Sequence, residues 1–265
     1  MYITSKIKPL VLALVLLLGM LAAPAAPQAA GCAWIYAGVG KPLNNTTSNN
    51  PTGGNTELCR KAFLLSFNQT TGVADWVMER LSASALSGDA DRSFSHFKSD
   101  PDLAGGPALS DYRGSGYDRG HLAPAADMKW DQRAMDQSFY LSNIAPQVGA
   151  GFNRGIWARL EAKIRGWTRT KGDIIVITGP VYYDYRPVIG GRVVVPDAYF
   201  KIIYAPADGR ALAFLMPNRR ITAPALTPHQ VTIDALEVLT GYDFFNTLPV
   251  TLEDRLESET GPLWP

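Results

Sequence analysis

The chain has 265 residues, of which 25 are basic, 24 are acidic and 46% are hydrophobic. This length allows one large domain or two small ones, and the apolar content is enough to build a hydrophobic core. The net charge near zero excludes a protein that is basic throughout, so a polyanionic partner would have to be held by a local patch.

The first 30 residues differ in composition from the rest of the chain. Lys6 and Lys8 precede an apolar run over 10–21, small residues follow, and no acidic residue occurs. This pattern predicts a cleaved export signal over 1–30, because the run is shorter than the roughly 20 residues that span a bilayer. We therefore expect a secreted or periplasmic protein with a single domain over 31–265.

Cys32 and Cys59 are the two cysteines of the chain, and both lie in the segment 31–60, which we expect to be rich in loops. In an oxidising compartment they are expected to form a disulfide. Neither has a neighbouring Cys or His at zinc-ligand spacing. Residues 29–32 also resemble a lipoprotein signal, which leaves open the alternative that Cys32 is acylated and Cys59 is unpaired.

Hydrophobic periodicity predicts more strands than helices. In the N-terminal part we expect a loop over 38–54, a strand over 62–67, a turn over 68–72 and a strand or short helix over 73–81. The middle of the chain is predicted to contain a loop over 111–125 that leads into a short strand, a helix over 131–137, a strand over 139–144 and a helix over 153–169. Strands are then predicted over 173–183, 192–204 and 211–216, followed by a helix over 227–239 that stops at Gly241. Together with the hairpin signal Asp208-Gly209, this order predicts an α+β fold built mainly on antiparallel strands.

The sequence Asp118-Arg119-Gly120-His121 places an acid, a fixed cation and a titratable base within four residues at a bend that glycine permits. His121 is therefore the candidate general base. The alternative is a structural histidine within a loop, which would be favoured if the residue stood alone. His96 and His229 have no such neighbours, and we expect them to be structural or surface residues.

Asn153 and Glu161 are eight residues apart in the predicted helix over 153–169. Eight residues are about two helical turns, so both side chains would project from nearly the same face and could share one ion. An amide oxygen is a poor ligand for zinc but is acceptable to magnesium, which keeps most of its waters. A solvated helix face is an equally good explanation of this spacing.

Three segments together resemble the DNA/RNA non-specific endonucleases, the sugar-non-specific nucleases with the ββα-metal fold. They are 111–124, which contains the Asp118–His121 motif; 139–147; and Asn153 followed by Trp157, Leu160 and Glu161. A weaker likeness extends from Cys59 to 240–245. The resemblance implies an α+β fold with a central, mainly antiparallel sheet flanked by helices.

The resemblance also implies a role for each matching residue. His121 would be the general base that activates water, Asn153 the direct protein ligand of a hydrated Mg²⁺, and Glu161 a ligand through water. Arg92 would contact the phosphate undergoing cleavage, although Arg80 lies upstream as an alternative. Arg119, Arg165 and Asn143 are expected on the substrate side or in support of the site.

The implied activity is the hydrolysis of DNA and RNA with little sequence preference, to give 5′-phosphate products. Basic residues over 151–171 outnumber Glu161 and would supply a positive surface for a polyanion. Two alternatives are a non-catalytic envelope protein that binds nucleic acid and a phosphodiesterase for small nucleotides. Mn²⁺ or Ca²⁺ could replace Mg²⁺, and the sequence leaves open a protein inhibitor and the oligomeric state.

Overall fold

The computed structural model describes residues 29–45, 54–183 and 187–265. The predicted export signal lies outside these ranges except for its last two residues. Within them, no helix is both long enough and apolar enough to cross a membrane.

The strands are short and are connected mostly by turns. They are β1 (Leu43–Asn44), β2 (Asn55–Cys59), β3 (Phe63–Asn68), β4 (Val73–Leu81), β5 (Asp118–His121), β6 (Ile144–Gln147), β7 (Ile174–Val181), β8 (Val188–Ile189), β9 (Val193–Val194), β10 (Ala198–Ala205), β11 (Arg210–Pro217), β12 (Gln230–Val231) and β13 (Tyr242–Asp243).

The α-helices surround these strands. They are α1 (Ala33–Tyr36), α2 (Leu109–Tyr112), α3 (Gln132–Ser138), α4 (Ala158–Lys171), α5 (Ile233–Thr240) and α6 (Val250–Ser258). Short 3-10 helices cover Ala29–Cys32, Arg92–Phe94, Ala125–Asp127, Leu141–Asn143 and Thr227–His229.

Seven strands form the central sheet in the order β12-β11-β10-β7-β4-β3-β2. Every neighbouring pair in this sheet is antiparallel. β4 pairs with both β3 and β7, so 73–81 is a strand and not a helix. The Asp208-Gly209 turn joins β10 to β11, and Gly209 takes the positive φ that a tight turn requires. The predicted α+β class with an antiparallel sheet is confirmed.

The sheet separates two hydrophobic cores, because successive side chains of a strand point to opposite faces. On β10, Tyr199 and Ile203 pack with Trp157 and Leu160 of the region around α4. Phe200, Ile202 and Tyr204 pack on the other side with residues of α1, α5 and α6. We call these the α4 face and the α5–α6 face.

The two cysteines form the predicted disulfide, with a Cα–Cα distance of 5.8 Å between Cys32 and Cys59. The bond joins the N-terminal segment to β2. In this structure Cys32 is therefore not available for acylation. The segment 31–60 is also less loop-like than expected, since its described residues include α1, β1 and β2.

Several predicted elements are wrong in detail, each for a local reason. The strand over 139–144 begins only at Ile144, because the N–H of Asn143 donates to the Tyr140 carbonyl and closes a tight turn. The strand over 192–204 is interrupted at Pro196, which cannot donate a ladder hydrogen bond.

The helix predicted over 227–239 begins later, at Ile233, although it ends before Gly241 as expected. The preceding residues form a 3-10 turn and then β12, which pairs with β11. Thr232 is the N-cap, and its hydroxyl accepts a hydrogen bond from the N–H of Ala235 at 3.1 Å.

Candidate functional site

The Asp118–His121 motif forms β5, which pairs antiparallel with β6 so that His121 lies opposite Ile144. A Cβ on Gly120 would collide with the Gln147 side chain, so glycine is needed for this close approach. The motif is therefore a short strand whose pairing with β6 fixes the direction of the His121 side chain.

The imidazole of His121 packs in an aromatic pocket. Its ring lies 5.4 Å from the ring of Phe97 and 4.8 Å, edge-on, from that of Phe139. The Nε2 atom is buried and has no hydrogen-bond partner among the described residues. Burial, assisted by the positive charge of Arg92, lowers the pKa of His121 to about 3. The imidazole is therefore neutral at physiological pH and can accept a proton.

Arg92 begins a 3-10 turn whose N-cap, Asp91, accepts a hydrogen bond from Ser93 N–H at 2.8 Å. Its guanidinium lies 5.2 Å above the ring of Phe139, one of the two rings against His121. Arg80 lies elsewhere, since its guanidinium donates to backbone carbonyls of the N-terminal segment. Of these two arginines, Arg92 is the one beside the histidine.

A cavity of about 670 Å³ opens beside Arg92 and Phe97, two neighbours of His121, and the residues that line it do not include His121 itself. Its wall includes Arg92, Phe97, Asp118, Arg119, Asn153 and Arg154. The guanidinium of Arg119 stacks 4.4 Å above the ring of Phe97. With Arg113, the wall carries four arginines and one amide against the single carboxylate of Asp118. This set is suited to an anionic group.

Asn153 is held in place by Asp118 of the motif. Its Nδ2 donates to one carboxylate oxygen of Asp118 at 2.8 Å, and Arg154 donates to the other, also at 2.8 Å. The backbone N–H of Asn153 donates to the Val148 carbonyl at 2.9 Å. Because the amide nitrogen is engaged, the carbonyl Oδ1 is the atom left to face a cation.

The expectation that Asn153 and Glu161 share one face of a continuous helix is wrong. Asn153 lies in a wide π-type turn over Gly149–Trp157 whose backbone is not helical at several positions. Gly155, at φ −128° and ψ −114°, breaks the helical path, and α4 begins only at Ala158. Spacing on one helix therefore does not explain how these two residues could serve one ion.

Glu161 lies in the first turn of α4, above a buried group of charges. Burial raises its pKa to about 7, Lys201 and Arg165 oppose this rise, and Asp127 adds to it. The charge of Arg92 lowers the pKa of both Glu161 and His121. Arg92 is thus the residue that connects the surroundings of Glu161 with those of the histidine.

Two charged residues beneath Glu161 were missed by sequence reasoning. Lys201 on β10 is 1% exposed, and its ammonium donates to the Thr178 hydroxyl at 2.6 Å. Glu79 on β4 is 2% exposed, and burial raises its pKa well above the usual range. Both interrupt apolar strands, and a charge inside a fully buried strand was the signal that could have identified them.

Arg165 and Asn143 support the site from within. Arg165 forms an ion pair with the buried Asp127 at 2.8 Å and does not line the cavity. Asn143 is fully buried: its Oδ1 accepts from Ala123 N–H, and its Nδ2 donates to the carbonyls of Ala123 and Ser138. Asn143 thereby fixes the chain that follows His121, and its position does not face a substrate.

The basic residues of the 151–171 segment are largely on the surface. Arg154, Arg159, Lys163 and Arg169 are exposed, whereas Lys171 forms an ion pair with Asp208 at 2.8 Å. Trp157 is buried in the core between α4 and the sheet. His96 is exposed and His229 is partly exposed, and neither contributes to the cavity.

Comparison with known proteins gives a consistent result. The family profile described as DNA/RNA non-specific endonuclease matches residues 41–251. Nuclease C1 of Cunninghamella echinulata var. echinulata is 41% identical over 76% of this chain and 87% of its own length. The mitochondrial nuclease of Saccharomyces cerevisiae is 39% identical over 76% of this chain and 68% of its own.

A solved structure shares the fold. The crystal structure of the EndoG/EndoGI complex superposes with a TM-score of 0.72 at 34% identity, over 76% of this chain and 89% of the other. The motif strand β5, its partner β6 and the helix α4, which contains Glu161, follow one another in the chain. This order matches the ββα arrangement expected from the sequence.

The predicted secreted or periplasmic location is wrong. The yeast relative is named as mitochondrial, and the same word stands in the names of human, bovine and fission-yeast relatives. The prediction rested on the composition of residues 1–30 alone, and all but the last two of these lie outside the described ranges.

The family profile matches most of the chain. The two relatives are named as nucleases, and each aligns with more than two thirds of this sequence. Nucleases of this family depend on a metal ion, and the cavity wall offers oxygen atoms and cations of the kind that such chemistry needs. The chain therefore belongs to the DNA/RNA non-specific endonuclease family and is an enzyme that hydrolyses phosphodiester bonds.

Proposed function

We propose that this enzyme cleaves DNA and RNA in a metal-dependent reaction in which His121 is the general base. The observation that carries the proposal is the state of the His121 side chain. Its Nε2 atom is buried and has no hydrogen-bond partner in the described part of the chain. The imidazole is neutral and lies beside Arg92. A base of this kind can take a proton from water as the water attacks phosphorus.

The charged wall of the cavity supports the remaining steps. Arg92 and Arg119 stand where they can neutralise the non-bridging oxygens of a phosphate that enters the cavity. Attack by water with departure of the 3′ oxygen would leave a 5′-phosphate. Because these groups recognise phosphate and not base edges, cleavage should depend little on sequence.

The residues near the cavity fit a hydrated divalent cation. Asn153 would hold it through Oδ1, which Asp118 leaves free by engaging Nδ2, and Glu161 would hold one of its waters. When bound, Mg²⁺, or Mn²⁺ or Ca²⁺ in its place, would stabilise negative charge on the phosphate and on the departing oxygen. The donor set is made of oxygen atoms, which favours these hard ions over zinc.

A direct test uses His121→Ala on supercoiled plasmid and on single-stranded RNA, each with Mg²⁺ or with EDTA. We expect the wild type to degrade both polymers only with metal, and the variant to be slower by about 10² to 10⁴-fold. His96→Ala is the matched control, because His96 is an exposed histidine away from the cavity. Binding without cleavage by the wild type under any divalent ion would refute the proposal.

The substrate class needs a separate measurement. The exposed cations Arg159, Lys163 and Arg169 favour a long polyanion over a small phosphodiester. Cleavage of long DNA should therefore weaken steeply as salt rises, while cleavage of a small diester should not. Equal salt dependence for both substrates would favour a small-molecule phosphodiesterase.

A protein inhibitor that binds over the same cavity is a further partner to test. The related EndoG was solved in a complex described as showing the mechanism of its inhibition. An inhibitor that covers Arg92 and Arg119 would compete with nucleic acid, so its inhibition should be relieved by raising the substrate concentration.

A further inference from the structure

Three carboxylates converge on the α5–α6 face, on the opposite side of the sheet from His121. They are Asp234 and Glu237 of α5 and Glu257 of α6, and one oxygen from each lies within 4.8 Å of the others. The helices bring them together because Asp234 and Glu237 are three residues apart and so lie on the same side of α5. The hydrophobic core between the sheet and these helices contains Ile233, Leu236 and Leu256.

Glu257 is the unusual member of this group. It is only 7% exposed, and its Oε1 has no hydrogen-bond partner within the described ranges. A buried, unpartnered carboxylate oxygen is costly unless something absent from the protein chain satisfies it. Glu237 keeps one oxygen occupied, since Oε1 accepts from Phe244 N–H at 2.8 Å, and this contact fixes the direction of its carboxylate.

The surroundings of the three carboxylates add negative charge. The charges that act on Glu257 are those of Glu237, Glu253, Asp234 and Asp243, and all of them are carboxylates. The nearby Arg255 donates to the Gly209 carbonyl at 3.1 Å, away from this group. None of the ion pairs among the described residues involves Asp234, Glu237 or Glu257. Among the described residues, no cation therefore balances them.

We propose that Asp234, Glu237 and Glu257 form a divalent cation site, separate from the catalytic centre, that holds α6 against α5. Oxygen ligands around one Ca²⁺ lie at about 2.3–2.6 Å from the ion, so no two of them are more than roughly 5.2 Å apart. The observed spread of the three oxygens satisfies that limit.

Ca²⁺ fits this group better than Mg²⁺. Mg²⁺ demands a nearly ideal octahedron, whereas Ca²⁺ accepts six to eight oxygens in irregular arrangements. Three carboxylates from two helices, with Asp234 exposed on one side, leave that side open for waters to complete such a shell. The ion would satisfy the free oxygen of Glu257 and bridge two helices that are separated in the chain by β13 and its flanking turns.

The experiment measures Ca²⁺ binding by calorimetry and the melting temperature with EDTA or with about 1 mM Ca²⁺, a concentration suited to low-affinity sites. The proteins are the full chain as wild type, Glu257→Gln, Asp234→Asn and Asn153→Ala. Asp254→Asn is the matched control, because Asp254 is an exposed carboxylate of α6 outside the group.

We expect Ca²⁺ to raise the melting temperature of the wild type, of Asn153→Ala and of Asp254→Asn by about 5 °C. Glu257→Gln and Asp234→Asn should lose this rise and one class of Ca²⁺ binding while still cleaving plasmid with Mg²⁺ at the wild-type rate. Because Asn153→Ala removes the proposed catalytic ligand, it separates this site from the active one.

Two results would overturn the site. One is an equal Ca²⁺-dependent rise in wild type, Glu257→Gln and Asp234→Asn, since the ion would then act elsewhere. The other is a wild type that Ca²⁺ does not stabilise, in which case a shared proton balances the carboxylates. Asp234→Asn keeps the test valid if Glu257→Gln fails to fold, because Asp234 is exposed.

Discussion

Both faces of the central sheet carry buried acids, but the negative charge of these acids is balanced differently on each face. On the α4 face, Glu79, Asp127 and Glu161 are accompanied by two cations, Lys201 of β10 and Arg165 of α4. On the α5–α6 face, the groups acting on Glu257 are all carboxylates. On the first face the chain supplies counter-charges to the acids, whereas on the second the described residues supply none, so a proton or an ion must come from solution.

The largest expected effect tests the balance on the α4 face. Lys201→Met keeps the length of the side chain but removes the ammonium that acts on Glu161. The buried acids then lack that counter-charge. Removing one partner of a buried charged group typically costs about 3–5 kcal/mol. We expect a loss of that size in the free energy of unfolding at pH 8, measured by urea denaturation.

The control for this prediction is Lys163→Met, which removes an exposed lysine of α4. It should change the free energy of unfolding by less than about 0.5 kcal/mol. The cost of Lys201→Met should shrink at pH 5, because acids with a raised pKa then take up protons and no longer need the ammonium. An equal effect of both substitutions would show that Lys201 does not balance the acids.

A smaller effect tests how the α4 face prepares its cation ligand. Asp118 holds the amide of Asn153, so Asp118→Ala should free that amide to rotate and weaken Mg²⁺ binding by about 10- to 100-fold. Titration of the cleavage rate with Mg²⁺ measures this change, and the maximal rate at saturating Mg²⁺ should fall less than the affinity.

Asp118→Asn distinguishes positioning from charge. It retains an oxygen that can accept from Asn153 while removing the ion pair with Arg154, so it should recover most of the lost affinity. Asp89→Ala, at an exposed aspartate away from the cavity, should leave the Mg²⁺ dependence unchanged. If Asp118→Asn is as impaired as Asp118→Ala, charge matters more than the position of the amide.

The sequence was informative where the relevant residues are contiguous. The local turn signal at Asp208-Gly209 placed a hairpin of the sheet. The four residues of the Asp118–His121 motif made His121 the candidate base, and that role stays a prediction. The antiparallel sheet followed from short apolar runs separated by turns, since each strand is defined by its own few residues.

Where the site depends on residues distant in the chain, the sequence was insufficient. Lys201 and Glu79 come from separate strands, and only the sheet reveals that they lie beneath Glu161. The relation between Asn153 and Glu161 was misjudged, because the backbone angles of Gly155 are not encoded in a hydrophobic period. The partner of Asp127, Arg165, is 38 residues away and could not be assigned from spacing.

The smallest effect tests the α5–α6 face through its pH dependence. Burial, with the charges of Glu237 and Asp234 on α5, Glu253 on α6 and Asp243 on β13, raises the pKa of Glu257 to about 8. The folded protein then keeps a proton that the unfolded chain releases near the ordinary pKa of 4.5, so Glu257 contributes stability below that pH and loses it as the pH rises towards 8.

In EDTA, the melting temperature of the wild type should therefore fall between pH 5 and pH 8 by more than that of Glu257→Gln. Differential scanning calorimetry measures this difference, and Ca²⁺ should flatten the wild-type curve in the same way as the substitution. Parallel curves for both proteins would mean that Glu257 is ionised in the folded state without help, and the contrast between the two faces would then disappear.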